Sequence, residues 1–82
     1  MLTEKVKEPI KVFAMFHEGR IRPVSFEWHN QKFNEFTIVS SWDGREGNSK
    51  IIFFSIRYEE DFYELCFRIR RMTWYLNRII SG

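Results

Sequence analysis

Few residues of this 82-residue chain combine the type and spacing that catalysis or metal binding needs. His17 and His29 stand in predicted turns at opposite ends of one strand, which separates them by roughly 25–35 Å at the usual rise per residue. Cys66 has no CxxC partner and no neighbouring histidine. The acidic run at residues 59–61 lacks the spacing of a calcium loop. We therefore expect no enzymatic activity, no metal and no cofactor.

Arginine and aromatic side chains are more informative, because they alternate along the later part of the chain. Alternate residues of a strand share one face of a sheet. Arginine contacts phosphates and aromatic rings stack on bases, so such a face could bind single-stranded nucleic acid weakly. The alternative is a solvated face with ordinary cross-strand ion pairs. The candidate nucleic-acid-binding residues are Phe53, Arg57, Arg68, Arg70 and Tyr75.

Two other surfaces are candidates for binding. The outer face of the first two predicted strands is apolar, and an exposed apolar patch usually marks an interface with a protein partner or with a second copy. Its residues are Ile10, Val12, Phe16 and Ile21. Basic residues also gather at one end of the predicted sheet, where they could contact a phosphate or an acidic partner. They are Arg20, Arg45, Lys50, Arg70 and Arg71.

Composition limits the class of protein. The chain is long enough for one small domain. Its hydrophobic content of 44% is too high for a disordered tail, and its net charge of +2 is too low for a strongly basic nucleic-acid binder. No apolar run is long enough to span a membrane. The single cysteine and the charged N-terminus favour a cytoplasmic location.

Six β-prone runs separated by turn signals predict an all-β fold. We expect a single six-stranded antiparallel meander that is strongly twisted or partly closed into a barrel. Residues 1–9 are mostly polar and predict a mobile N-terminal arm, and residues 10–82 predict a single β domain. The predicted strands begin near Ile10 and cover residues 21–28, 31–41, 50–58, 62–69 and 72–80.

The strand register can be predicted from side-chain alternation. Placing Ile69 opposite Met72 puts Phe67 opposite Trp74 and Leu65 opposite Leu76. Placing Tyr58 opposite Tyr63, and Phe13 opposite Val24, extends the same apolar face. Residues 31–41 do not alternate cleanly, so we expect a β-bulge between Asn34 and Phe36. The predicted core face is Phe13, Met15, Val24, Phe26, Trp28, Ile52, Phe54, Ile56, Tyr63, Leu65, Phe67, Ile69, Trp74 and Leu76.

A C-terminal helix is the alternative for residues 62–80. Apolar residues recur there at spacings of three and four, and no glycine or proline interrupts the segment. The β-branched and aromatic residues of the segment favour strands instead. The alternative fold is therefore an α+β domain with a four-stranded sheet and one C-terminal helix.

Phe26 with Trp28, Tyr63-Glu64-Leu65, and Trp74 with Leu76 form a pattern of F-x-W, Y-E-L and W-x-L motifs. This pattern resembles that of a family of small bacterial proteins. Some members of that family are encoded beside Y-family translesion DNA polymerases. The resemblance implies an all-β fold and no particular activity. Here His29-Asn30-Gln31 replaces the family's R-G-R turn, and Arg70-Arg71 replaces a glycine-containing turn. The matching residues are Phe26, Trp28, Phe33, Ile38, Trp42, Tyr63-Glu64-Leu65, Trp74, Leu76 and Ile79.

Two functions remain open at this point. The first is a non-catalytic protein-interaction module that forms a dimer or docks on a repair or replication factor. The second is a weak nucleic-acid-binding domain that uses the arginine and aromatic face.

Overall fold

A computed structural model describes residues 2–82 and shows an all-β protein with eight antiparallel strands. Over these residues there is no helix, and hence none that could cross a membrane. The strands are β1 (Leu2–Pro9), β2 (Lys11–His17), β3 (Arg20–Trp28), β4 (Gln31–Phe33), β5 (Thr37–Glu46), β6 (Ser49–Tyr58), β7 (Asp61–Arg68) and β8 (Thr73–Ser81).

The strands form two sheets rather than one meander. The larger sheet has the order β1-β8-β7-β6-β5, and the smaller has the order β2-β3-β4. The chain passes between them at Ile10, whose N–H donates to the carbonyl of Trp74 at 3.2 Å, and again between Phe33 and Thr37. The sheets therefore meet at two corners without closing into a barrel.

The core lies between the two sheets and is filled mainly by aromatic rings at one end. Phe26 and Phe33 stack with ring centroids 4.5 Å apart. Phe33 also packs edge-on against Tyr58 at 4.9 Å and contacts Tyr63 at 5.2 Å. Large rings remove much apolar surface from water, which suits a chain this short. The central buried residues are Phe26, Phe33, Phe54, Ile56, Leu65, Phe67 and Leu76.

The all-β class is confirmed, and the C-terminal helix alternative is wrong. Residues 62–80 form β7 and β8, joined by a tight turn in which Met72 adopts a left-handed backbone with φ of 55°. Glu59 does the same between β6 and β7, with φ of 57°. These hairpins need no glycine because two non-glycine residues take the positive φ that the turns require.

The predicted arm is instead a strand, apart from Met1, which lies outside the described residues. Residues 2–9 form β1 and pair with β8, with Leu2 opposite Ser81 and Pro9 opposite Tyr75. Val6 packs against the core from this strand. β1 is an edge strand of the larger sheet, and its backbone hydrogen bonds to β8 hold it there. Its polar side chains do not prevent this pairing, because an edge strand is largely exposed to solvent.

The register of β7 and β8 is confirmed where it matters most for the core. Phe67 lies opposite Trp74, and Leu65 lies opposite Leu76. A bulge between Glu64 and Leu65 then shifts the remaining pairs by one residue. In the preceding hairpin Tyr58 lies opposite Asp61 rather than Tyr63. The observed register differs from the predicted one by two residues. Because this shift is even, each side chain keeps its predicted face.

The register of the first hairpin is wrong on one side of a bulge. Met15 lies opposite Arg22 as predicted, but Phe13 lies opposite Ser25, which leaves Val24 as an extra residue in β3. An extra residue exchanges the two faces of a strand. Consequently Phe13, Met15 and Val24 are exposed instead of forming part of the core.

Candidate functional site

The outer face of the larger sheet carries a packed row of side chains across four strands. Trp42, Phe53, Cys66 and Tyr75 are successive cross-strand partners on β5, β6, β7 and β8. The rings of Trp42 and Phe53 stack at 5.3 Å. Cys66 is fully buried, and burial raises the pKa of its thiol, which disfavours the reactive thiolate. The face is thus covered largely by its own side chains.

Arg68 belongs to this packed row and is already paired. Its guanidinium lies 4.3 Å from the ring centroid of Tyr75. Its Nη2 donates to Glu46 Oε2 at 3.3 Å, and its Nε lies 2.9 Å from Glu46 Oε1. Burial alone would lower the pKa of Arg68, but the Glu46 carboxylate outweighs it and raises the pKa. Arg68 is therefore ion-paired within the protein through Glu46, although its buried Nε makes no hydrogen bond.

The five candidate nucleic-acid-binding residues do not form one open surface. Phe53, Arg68 and Tyr75 lie together, but they pack against one another or against neighbours, and Tyr75 is buried. Arg57 is exposed and lies opposite Phe62, near the far end of β6. Arg70 is exposed in the β7–β8 turn, beyond the pair that Ile51 forms with Arg68. Arg57 and Arg70 are therefore at least six strand residues apart along the sheet, a distance of about 20 Å.

The four candidate interface residues also divide into two groups. Ile10, Val12 and Ile21 are half-buried and pack against the core, so they are not the exposed patch that the sequence predicts. Phe16 is 64% exposed near the tip of the β2–β3 hairpin. The exposed apolar side chains of the β2–β3 hairpin are Phe13, Met15, Phe16 and Val24.

Potential metal ligands form no cluster within residues 2–82. No group of three or more histidine, cysteine, aspartate or glutamate side chains is placed to hold a metal ion there. His29 Nε2 lies 3.0 Å from Glu8 Oε1, which also accepts a hydrogen bond from Trp28 Nε1 at 3.0 Å. These contacts tie β1 to the β3–β4 hairpin, so their role is structural.

An open cleft of about 740 Å³ lies where the two sheets diverge. We call it the seam cleft: one wall is residues 20–22 of β3, the other comprises Ile38, Ser41 and Asp43 of β5, and the floor includes Ile52 and Phe54 of β6. It opens because the aromatic packing around Phe33 closes only the other end of the sheet pair.

The walls of the seam cleft are unpaired strand edges. Over the described chain, β4 pairs with β3 only from Phe26 to Trp28, which leaves the same edge of β3 free from Arg20 to Ser25. β5 pairs with β6 along one side and ends the larger sheet on the other. In this free segment of β3, Pro23 has no N–H and offers only its carbonyl. The other unpaired N–H and C=O groups of the two edges can accept another strand.

The charge of the seam cleft is mainly positive. Arg20, Arg22 and Lys50 line it. Asp43 is the one carboxylate of residues 2–82 in the lining, and its Oδ2 lies 3.5 Å from Lys50 Nζ. The cleft therefore combines an apolar floor with a cationic rim.

No protein-family model, curated protein or solved structure matches the chain.

The sequence does not predict the seam cleft as a site, but it predicts part of its charge. Arg20 and Lys50 belong to the basic end of the predicted meander, and both line the cleft. The free edge of β3 is not predicted, because the sequence predicts one strand over residues 31–41. Such a strand would cover the whole edge, whereas the short β4 covers only part of it. Glu35 takes a positive φ of 58° in the connection between β4 and β5, which divides this segment between the two sheets.

Proposed function

We propose that this protein is a non-catalytic protein-interaction module that binds a segment of its partner in the seam cleft. The observation that carries the proposal is that two strands with unpaired edges, β3 and β5, line the same cleft above an apolar floor. Binding sites are concave and largely apolar, with a few polar groups that orient the ligand. The seam cleft has this character, with Ile52 and Phe54 below and charged side chains at its rim.

The partner class follows from the family resemblance. A repair or replication factor is the first kind of protein to examine, because some members of the family that the sequence resembles are encoded beside Y-family translesion DNA polymerases. Nucleic-acid binding by the outer face has less support, since Arg68 is paired with Glu46 and Tyr75 is buried.

Site-specific photocrosslinking in cells tests the proposal. Benzoylphenylalanine is placed at Arg22 or Ser41, one on each wall of the seam cleft, and at Glu4 or Arg57, which are exposed elsewhere. We expect both wall positions to crosslink to the same segment of one partner protein, and the two control positions not to do so. Crosslinks to that segment from the controls alone would contradict the proposal.

Self-association is a second candidate, supported by the exposed apolar side chains of the β2–β3 hairpin. Phe16→Glu should abolish a dimer of this kind without unfolding the protein, because Phe16 is exposed. Val12→Glu is unsuitable as a test because Val12 packs against the core. Sedimentation at micromolar concentration measures the mass. A monomer of the unmodified protein throughout that range excludes self-association.

A further inference from the structure

We propose that the seam cleft binds an acidic peptide segment in extended conformation, which pairs with β3 and β5 as an added strand. This inference rests on the proposed function and specifies the chemistry of the partner segment. It also assigns a structural role to the ligand, since the added strand would join the two sheets where they are separate.

Backbone geometry is the first argument. The free edge of β3 runs from Arg20 to Ser25, and β5 presents its free edge on the other wall. A peptide between them would use its N–H and C=O groups on both sides, except opposite Pro23, which has no N–H to donate. Addition of a strand to an exposed sheet edge is a recurring mode of peptide recognition, in which backbone hydrogen bonds contribute affinity.

The size of the cleft fits a short strand. A strand residue occupies on the order of 160 Å³, from a rise of about 3.3 Å, a lateral spacing of about 4.8 Å and a sheet separation of about 10 Å. A cleft of about 740 Å³ therefore accommodates about four or five residues. The unpaired segment of β3, residues 20–25, is six residues long, so the peptide would pair with most of it.

Side-chain chemistry selects the sequence of the peptide. Alternate side chains of an added strand point in opposite directions. One set would reach the apolar floor, where Ile52 and Phe54 lie, beside Ile38 of the β5 wall. The other set would face the rim, where Arg20 and Arg22 lie. The preferred segment therefore alternates apolar and acidic residues.

The same lining disfavours single-stranded nucleic acid in the seam cleft. Binding of single strands depends on aromatic rings that are open for base stacking. Among residues 2–82, Phe54 is the one phenylalanine, tyrosine or tryptophan that lines the cleft, and it is 3% exposed. A buried ring offers no stacking face, so the cationic rim suits carboxylates of a peptide better than a chain of nucleotides.

Fluorescence anisotropy with defined probes tests the inference. The probes are a fluorescein-labelled decapeptide of alternating Glu and Val, its Lys and Val counterpart, and a labelled twenty-residue oligothymidylate. We expect the Glu–Val peptide to bind and the Lys–Val peptide to bind at least about tenfold more weakly, as opposite charges at the rim would produce. Equal affinity for the two peptides, or tighter binding of the oligothymidylate, would overturn the inference.

Two matched variants locate the binding site. Arg20→Glu combined with Arg22→Glu should weaken binding of the Glu–Val peptide by about tenfold or more. Arg70→Glu combined with Arg71→Glu makes the same charge change in the β7–β8 turn and should alter it less than about twofold. All four side chains are exposed, so both variants should fold, which circular dichroism checks. An equal loss in the two variants contradicts a site in the seam cleft.

Backbone methylation of the peptide distinguishes an added strand from side-chain binding alone. A strand between β3 and β5 directs alternate N–H groups to opposite edges. Two peptides are therefore needed, one methylated at the backbone nitrogens of its Val residues and one at those of its Glu residues. Each methylation should abolish binding. Undiminished binding of both methylated peptides rules out the added strand.

The proposed function and this inference fail differently. Crosslinking to one partner segment from both walls, with no binding of the Glu–Val peptide, rejects the acidic strand and retains the interaction module. Crosslinking from the control positions alone rejects the module as well.

Discussion

Lys50 Nζ lies 3.5 Å from Asp43 Oδ2 inside the seam cleft, so the carboxylate that would repel an acidic ligand is paired with a cation of the opposite strand. Both side chains are more than half exposed, which limits the contribution of the pair to stability. The pair instead affects binding, because the ammonium of Lys50 is less available to an acidic ligand while it contacts Asp43.

Removal of this carboxylate should strengthen peptide binding. We expect Asp43→Asn to increase the affinity for the Glu–Val peptide about threefold and Lys50→Gln to decrease it by a similar factor, as exposed charge pairs of this kind produce. Anisotropy titrations at low and high salt measure both effects, which should diminish as salt increases. A decrease in affinity for Asp43→Asn would indicate that the pair holds the cleft in shape instead.

Gly44 is required by the ring of Phe53. A Cβ at Gly44 would lie 2.6 Å from Phe53 Cε2, and this ring is stacked on Trp42. We expect Gly44→Ala to lower the free energy of unfolding in urea by about 1–3 kcal/mol, the usual cost of overpacking. Without the clash, the substitution would raise stability by about 0.4–1 kcal/mol through the unfolded chain.

A double-mutant cycle isolates this contact. Phe53→Leu removes the ring edge, so Gly44→Ala should cost less in that background than in the unmodified protein. Equal costs in both backgrounds would show that the glycine is needed for another reason.

Much of the larger sheet can be predicted from residue types, because alternation of apolar side chains specifies which face is buried. Ile56, Leu65 and Leu76 are fully buried as that pattern predicts. The smaller sheet is harder. Val24 is an extra residue in β3, and a valine looks the same in the sequence whether it is paired or bulged. Its position reverses the predicted faces of the β2–β3 hairpin.

Turns explain the other differences. Residues 42–49 contain two glycines and four charged or amide side chains, which predicts a long loop. The structure instead continues β5 to Glu46 and turns within two residues, where Gly47 takes a φ of 63°. The extra length of β5 supplies Asp43 to the seam cleft. The cleft was therefore not predictable from local patterns, since it depends on strand ends that are decided by packing between the sheets.

Glu8 should make one contact between the sheets sensitive to acid. The Trp28 indole N–H donates to its carboxylate, which lowers the pKa of Glu8, and His29 lowers it further. Because the folded pKa is the lower one, the stabilising contribution is present above the unfolded pKa and is lost as pH falls through the folded pKa.

The indole proton of Trp28 reports this titration in two-dimensional NMR spectra. We expect its chemical shift to change at a pH below the ordinary glutamate range, and Glu8→Gln to abolish the change. Glu4→Gln, on the same strand and exposed, is the control and should leave it intact. A midpoint at or above the ordinary glutamate pKa would contradict the hydrogen bond.

Arg68 should behave as a structural residue. Its stacking on Tyr75 and its pairing with Glu46 predict that Arg68→Ala lowers the free energy of unfolding by about 0.5–1.5 kcal/mol. Arg57→Ala should change it by less than about 0.5 kcal/mol, since Arg57 is exposed. Urea unfolding measures both. Similar losses of oligothymidylate affinity in the two variants, with unchanged stability, would support the nucleic-acid-binding alternative.

Amide hydrogen exchange tests the central claim most directly, because it reports whether the two free strand edges become paired. We predict that a saturating concentration of the Glu–Val peptide slows exchange of alternate amides in residues 20–25 of β3, apart from Pro23, which has no amide proton, and in residues 37–43 of β5. The amides of β1, at the opposite edge of the larger sheet, should be unaffected. Bound peptide with no added protection in either segment would contradict strand addition in the seam cleft.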